Sequence, residues 1–400
     1  MWIESTIALK FLRQGLIQTA LILVGIAGGV AVIVFITTLI TGLQSNIIDR
    51  TLGTQSHIRV EPPDEINRLA AAPAGTLALR LEDKRAQRLR SINNWIQVRD
   101  TLDTLAEITA VSPVTAGPAF ARRGDVRKAI SLVGIDPPRY EKIIHVSKDI
   151  IAGQFRVGAG DAVIGKLLAT ELGMQVGSKL RLESGDGSTA IVTIAGIFEL
   201  GVRDLDLRYV YVDLKQAQSL LNLAGGVTLI DVTVRDLFAA DVAANRITRL
   251  TGLKAESWMQ TNAQLMNALR SQTISTTMIR FFVALSVAFG IASVLAISVT
   301  QRTREIGILR AMGIRRRQML QVFLVQGALL GLVGSTAGAL AGYALVWVFN
   351  TFGPGLFYIP LPLGLIPVTM AAATITGVLA AMVPAWRASR LNPVEAIRYV

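Results

Sequence analysis

Nucleotide chemistry is the first possibility the residues raise. Gly160–Leu167 reads GDAVIGKL, close to the phosphate-cradling pattern in which a Gly-Lys pair is followed by a hydroxyl residue. Leu167 stands where the hydroxyl would ligate Mg²⁺, so the segment is expected to be a plain strand, turn and helix. The histidines, His57 and His145, read as surface or core residues rather than metal ligands. Asp204 and Asp206 read as a solvated turn. Neither a G-x-S-x-G elbow nor an H-E-x-x-H pair occurs, and the chain has no cysteine, which excludes thiolate metal sites and disulfides. No catalytic residue, metal ligand or cofactor is therefore assigned to this chain. Energy for any work must come from a partner.

The pattern that does carry information is Arg302–Gly313, RTREIGILRAMG. Six arginines lie between Arg302 and Arg317 against one acid, Glu305. On a helix Arg302 and Glu305, three apart, are expected to pair and stiffen it. Ile306 and Leu309 are expected to give it an apolar side that seats in a partner.

Apolar runs flank this segment. The chain of 400 residues is 52% hydrophobic, with a mean hydropathy of +0.49. Its apolar residues segregate into Leu16–Leu43, Phe281–Val299, Leu320–Phe349 and Leu361–Val383. Each reaches the roughly 20 residues that a bilayer crossing needs. None carries an arginine, which at mid-bilayer would cost about 2.5–3.5 kcal/mol. The first run is too long for a secretory signal and is expected to be an uncleaved anchor continuing as a stalk. Residues 1–15 have helical spacing with Lys10 and Arg13 at the end. They read either as an interfacial helix or as the start of a long first helix.

Segments 1–13, 301–318 and 385–400 hold eleven basic residues against Glu4, Glu305 and Glu395, while Asn350–Pro360 is uncharged. Both termini are therefore expected in the cytoplasm of an inner-membrane protein. This anchoring accounts for most of the net charge of +12, so nucleic acid is not an expected partner; membrane lipid is.

Between the first two spans lies a large extracytoplasmic segment, read as α+β. Short strands and helices suggest two subdomains, one from about 51–150 plus 229–258, the other from about 154–228. The domain is bounded at about 51–260, with stalk and first span at 16–50 and stalk and second span at 261–300. Residues 62–99 read as an insertion, basic between Arg80 and Arg99. The coupling segment is placed at 301–318, the third and fourth spans at 320–349 and 361–383, and the tail at 384–400. Gly25/Gly29, Gly327/Gly331 and Gly334/Gly338/Gly342 recur at four-residue spacing, which is expected to let helix backbones approach closely. The spacing leaves open whether the contact is within or between chains.

With these pieces placed, the chain resembles the MacB and lipoprotein-releasing (LolC/LolE) ABC permeases, also called mechanotransmission or type VII transporters. Arg302–Gly313 is similar to that family's R-E-I-G-x-L-R-A-x-G coupling segment. Pro384–Arg398, PAWRASRLNPVEAIR, is similar to its tail, and Gly134-Ile135-Asp136-Pro137 with Val163–Leu172 resembles its outer domain. The resemblance implies that Arg302, Arg304, Glu305, Ile306, Leu309, Arg310 and Gly313 serve ATPase coupling, with Arg387, Arg390, Pro393 and Glu395 in the tail. It also implies a cytoplasmic ABC ATPase that holds the ATP and Mg²⁺, and a second permease subunit in a homodimer or heterodimer. A periplasmic adaptor remains open. The expected role is export or extraction of a substrate at the outer face. Lipoprotein release, and FtsX-like signalling to a periplasmic cell-wall hydrolase, are the alternatives.

Two features depart from family patterns. About fifteen residues precede the first span, so the ATPase is expected on a separate chain. Where lipoprotein-releasing permeases have a long carrier-binding hairpin, this chain has only Glu183–Thr189, expected to be a tight turn.

Overall fold

The computed structural model describes residues 2–64, 89–353, 355, 357–361 and 364–391. Pro393, Glu395 and Arg398, and residues 65–88 of the insertion, lie outside the described residues. Along the chain, α1 (Trp2–Gln14) and α2 (Leu16–Leu52) come first, then β1 (Ile58–Glu61), α3 (Trp95–Asp103), β2 (Ile108–Arg123), β3 (Val126–Ile135) and α4 (Pro137–Tyr140). There follow β4 (Ile150–Gly153), β5 (Asp161–Gly165), α5 (Lys166–Leu172), β6 (Lys179–Ser184) and β7 (Thr189–Phe198). Next are α6 (Arg203–Arg208), β8 (Tyr209–Asp213), α7 (Leu214–Leu220), β9 (Leu229–Val234), α8 (Ala240–Thr251), β10 (Lys254–Ser257) and α9 (Trp258–Thr261). Four helices close the chain: α10 (Ala263–Gln301), α11 (Thr303–Ala311), α12 (Arg316–Phe352) and α13 (Leu365–Arg390). Two compact units result, a helical one of Met1–Ile48 with Asn267–Val400 and a sheet unit of Asp49–Met266.

In the sheet unit the strands run β10-β1-β9-β2-β3-β8-β5-β7-β4, and β6 joins β2 to β7. That extra pairing closes β2, β3, β8, β5, β7 and β6 into a six-stranded barrel. Side chains alternate along a strand, so each strand sends every second residue inward. Ala119 and Ala121, Ile130 and Leu132, Val210 and Val212, Ala162 and Ile164, Val192 and Ile194, and Leu180 and Leu182 supply two each to one buried core. The intervening Val133, Ile135, Val163 and Tyr211 point the other way, into a second core with Tyr140 and Phe198.

One continuous sheet links the two expected subdomains. β2 is 16 residues long, so its first half pairs with β9 and its second half with β6. The hairpin thereby belongs to both halves, and closure removes the edges that two separate sheets would expose.

Among the described residues, α2, α10, α12 and α13 are the four helices long and apolar enough to cross a membrane, at 37, 39, 37 and 26 residues. The fourth starts later than expected, at Leu365, and runs through the buried Pro384 to Arg390. Residues 384–390 are thus its last two turns and not a separate tail.

Glycines set the helix contacts. A Cβ on Gly338 would lie 2.6 Å from the Ala27 carbonyl oxygen, and one on Gly327 the same distance from the Gly377 carbonyl oxygen. Only a residue without a Cβ lets the backbones come so near. Gly331 sits likewise against Ala373 and Thr374, Gly334 against Ile26, and Gly342 against Val34. One glycine face of α12 therefore meets α13 and another meets α2, within a single chain. Gly29 faces Val283 and Val287 of α10, whereas Gly25 has nothing within 4 Å of an added Cβ.

Candidate functional site

The arginine-rich end of the helical unit is where the two sequence motifs converge. α10 ends at Gln301 and α11 begins at Thr303, leaving Arg302 as the link between them. α11 stops at a glycine: Gly313 has φ +102° and its N–H donates to the Arg310 carbonyl at 3.1 Å. That left-handed backbone favours glycine, the residue without a Cβ. The next helix starts at once, with the Gln318 side chain accepting from the Arg315 N–H at 3.0 Å.

Burial divides the expected coupling residues in two. Ile306 is fully buried and Leu309 packs beside it, in an apolar cluster with Phe11, Met319, Phe323 and Ala385. Neither is an outward docking face; they anchor α11 to its own chain. The face left in solvent carries Arg304, Glu305, Ile308 at 43% exposure and Met312 at 70%. Sequence reasoning missed Ile308 and Met312. Their i, i+4 spacing was visible, but α11 has apolar residues on two sides and its sequence does not say which side packs.

The arginines also divide. Arg310 reaches into the unit and donates to the carbonyl oxygens of Ser389, at 3.3 Å, and Leu391. It thus bonds carbonyls at the end of α13, joining the two motifs. Its Nε is buried with no partner among the described residues. Arg302 does not pair with Glu305 as expected: among the described residues no ion pair joins them. Its guanidinium lies over the Phe11 ring at 4.8 Å and donates to Gln14 Oε1 at 3.1 Å. Burial pulls the Arg302 guanidinium below its ordinary value, and the charge of Glu305 opposes that shift; the group remains a cation. Arg387 and Arg390 are exposed on α13, Arg390 lying 3.9 Å above the Trp386 ring.

α1 is the wall that completes the cluster. It is a separate helix broken from α2 at Gly15, and its buried Ala8 and Phe11 lie in the same cluster as Met319 and Phe323 of α12. The Phe11 and Phe323 rings are 6.3 Å apart.

In the sheet unit the near-match to a phosphate loop is β5 running into α5, and Lys166 donates to both carboxylate oxygens of Glu199 at 2.8 Å. His57 Nδ1 lies within hydrogen-bond distance of the Val234 backbone, at 3.1 Å from its carbonyl oxygen. Among the described residues no group of three His, Cys, Asp or Glu is placed to hold a metal ion. Asp206 is not solvated: it is buried and accepts from the Leu200 and Gly201 N–H groups at 2.8 and 3.1 Å. The β6–β7 connection is a four-residue turn, closed by the Ser184 N–H on the Ser188 carbonyl at 2.8 Å. Asp186 accepts from the Ser188 N–H at 3.0 Å, which holds its carboxyl below the usual range.

Comparison with known proteins follows the same division. Residues 19–250 match the MacB-like periplasmic core domain and residues 277–393 the FtsX-like permease C-terminal model. The lipoprotein-releasing system transmembrane protein LolC of Xylella fastidiosa (strain 9a5c) is 26% identical, across 99% of this chain and 99% of that one. The macrolide export ATP-binding/permease protein MacB of Escherichia coli (strain K12) is 31% identical over 42% of this chain and 27% of its own. The crystal structure of the periplasmic region of MacB from Actinobacillus actinomycetemcomitans overlays 55% of this chain and 96% of that one, with 14% identity and a TM-score of 0.36.

Proposed function

This chain belongs to the MacB-like periplasmic core domain family and is an inner-membrane ABC transporter permease of the MacB/LolC type, and on that premise we propose that it couples a separate ATPase to movement of its periplasmic domain. Both termini and α11 face the cytoplasm, as the excess of lysine and arginine over acids in 1–13, 301–318 and 385–400 supports. The ATPase seats on the outward face of α11, and ATP and Mg²⁺ belong to that partner. A second permease subunit completes the assembly, which acts on a substrate at the outer face of the membrane.

The observation that carries this reading is the construction of α11. A helix that passes force must be fixed on one side and free on the other. Ile306, Leu309 and Arg310 fix it, while Arg304, Glu305, Ile308 and Met312 are left outward. Co-expression with the ABC ATPases of the native host tests it. An ATPase should co-purify with the chain and be lost from Ile308→Glu/Met312→Glu, while the chain alone hydrolyses no ATP. Retention of the ATPase by that double variant would defeat the reading.

Lipoprotein release is the second reading, favoured by full-length similarity to a protein named LolC. The short turn at Gly185–Ser188 weighs against carrier capture there. It offers none of the aromatic or arginine anchors that dominate binding hot spots. A photo-crosslinker at Asp186 that captured a lipoprotein carrier would make release the leading function.

A further inference from the structure

We infer that α1 and α11 move as one rigid body, and that Phe11 and Gln14 are the positioning residues that hold the coupling helix in place. This rests on the reading that α11 meets an ATPase.

The argument begins at the one-residue link. Arg302, with φ −109° and ψ 17°, separates two helices, and a residue's two soft dihedrals alone would let α11 swing. Besides the backbone hydrogen bonds at the link and the Arg310 bonds to α13, three contacts with α1 oppose that swing. The Phe11 ring lies under the guanidinium, Gln14 Oε1 accepts from it, and the apolar cluster takes both Ile306 of α11 and Ala8 of α1. Phe11 is 5% exposed and Ala8 fully buried. The cation–π contact to the buried Phe11 ring gains strength where water is excluded, while the Gln14 hydrogen bond is exposed. The far face of α1, with Leu9 at 46% exposure and Lys10, is left for the leaflet.

The same C-terminal end of α1 is also tied to α2. The Thr19 N–H donates to the Gly15 carbonyl at 2.9 Å and the Thr19 hydroxyl to the Leu12 carbonyl at 3.0 Å. A push on α11 therefore reaches α10 through Arg302 and α2 through α1. Those two helices flank residues 53–262 in the chain. An interfacial helix lying free on the lipid would transmit nothing to α2.

The absence of native cysteine permits a direct test. Spin labels at Leu9→Cys and Thr303→Cys are measured in the complex with its ATPase, without nucleotide and with ATP trapped by vanadate. The inter-label distance should be the same in both states. Phe11→Ala/Gln14→Ala should broaden it and lower ATP turnover about fivefold, with the ATPase still bound. Phe11→Leu, which keeps an apolar side chain without the ring face, guards against misfolding and should show part of the same loss. A distance that changes on trapping overturns the rigid body, and full turnover in the double variant overturns the positioning role. Failure of the underlying reading would look different: no ATPase would accompany the unmutated chain.

Discussion

The guanidinium of Arg310 donates to the Ser389 carbonyl at 3.3 Å, so α11 is bonded to the end of α13, 79 residues away in sequence. Arg310→Ala removes a cationic donor from two carbonyls at the end of α13. It should cost about 1.5–3 kcal/mol, read as a lower midpoint in thermal unfolding of the detergent-solubilised chain. Arg310→Lys keeps the charge but not the planar fork, and should recover only part of the loss.

Two neighbours on α11 should give opposite phenotypes. Ile306→Ala empties a fully buried site and should destabilise the chain by about 2–4 kcal/mol. Ile308→Ala removes a half-exposed side chain and should leave the unfolding midpoint within about 0.5 kcal/mol while weakening ATPase binding in pull-down. Equal loss of stability in both variants would contradict the two-faced description of α11.

Glu305→Arg should uncouple without unfolding. Glu305 is exposed and its charge opposes the shift that burial imposes on Arg302. Reversal places like charges in the first turn, at a cost of a few tenths of a kcal/mol, about 0.3. The chain should insert normally while ATP turnover in the complex falls. Undiminished turnover would remove Glu305 from the outward face that engages the ATPase.

Gly338→Leu and Gly25→Ala should differ sharply. A Cβ alone would meet the Ala27 carbonyl at 2.6 Å, so α12 and α2 must separate, costing about 1–3 kcal/mol or more. A Cβ on Gly25 has nothing within 4 Å, so Gly25→Ala should leave the unfolding midpoint close to unchanged.

Asp231 predicts a pH dependence of the sheet unit. It is buried, accepts from Ser56 Oγ at 2.6 Å and lies 3.9 Å from Arg59 Nε. Burial pushes its carboxyl above the ordinary value, with Arg59 and Ser56 opposing. A raised acid binds its proton more tightly folded than unfolded. Its protonated form therefore favours folding at low pH, and that contribution is lost as pH rises from the unfolded value through the raised folded one. Asp231→Asn should flatten the slope of melting temperature against pH across that window. An unchanged slope would assign the dependence to other groups.

Much of the helical unit was legible because the bilayer imposes a one-dimensional rule. About 20 apolar residues without charge make a span, and the four runs, the arginine-rich segment between two of them and the glycine spacing follow from counting along the chain. The mixed α+β character of the sheet unit was also readable, since alternation is local, but the 16-residue β2 was not foreseen among short strands. What counting could not supply was pairing between residues distant in sequence. That β6 closes a barrel with β2 depends on a long hairpin reaching a strand some 60 residues later. Arg302 choosing Phe11 and Gln14 over Glu305, three residues away, depends on α1 lying alongside. Ile306 and Ile308 are both isoleucine, two apart on one short helix. Only the packing of Phe11, Met319 and Ala385 against one side decides that the first is an anchor and the second faces outward. Local composition determines which segments enter the membrane or form strands, whereas the roles of individual side chains come from the surfaces that the rest of the fold brings against them.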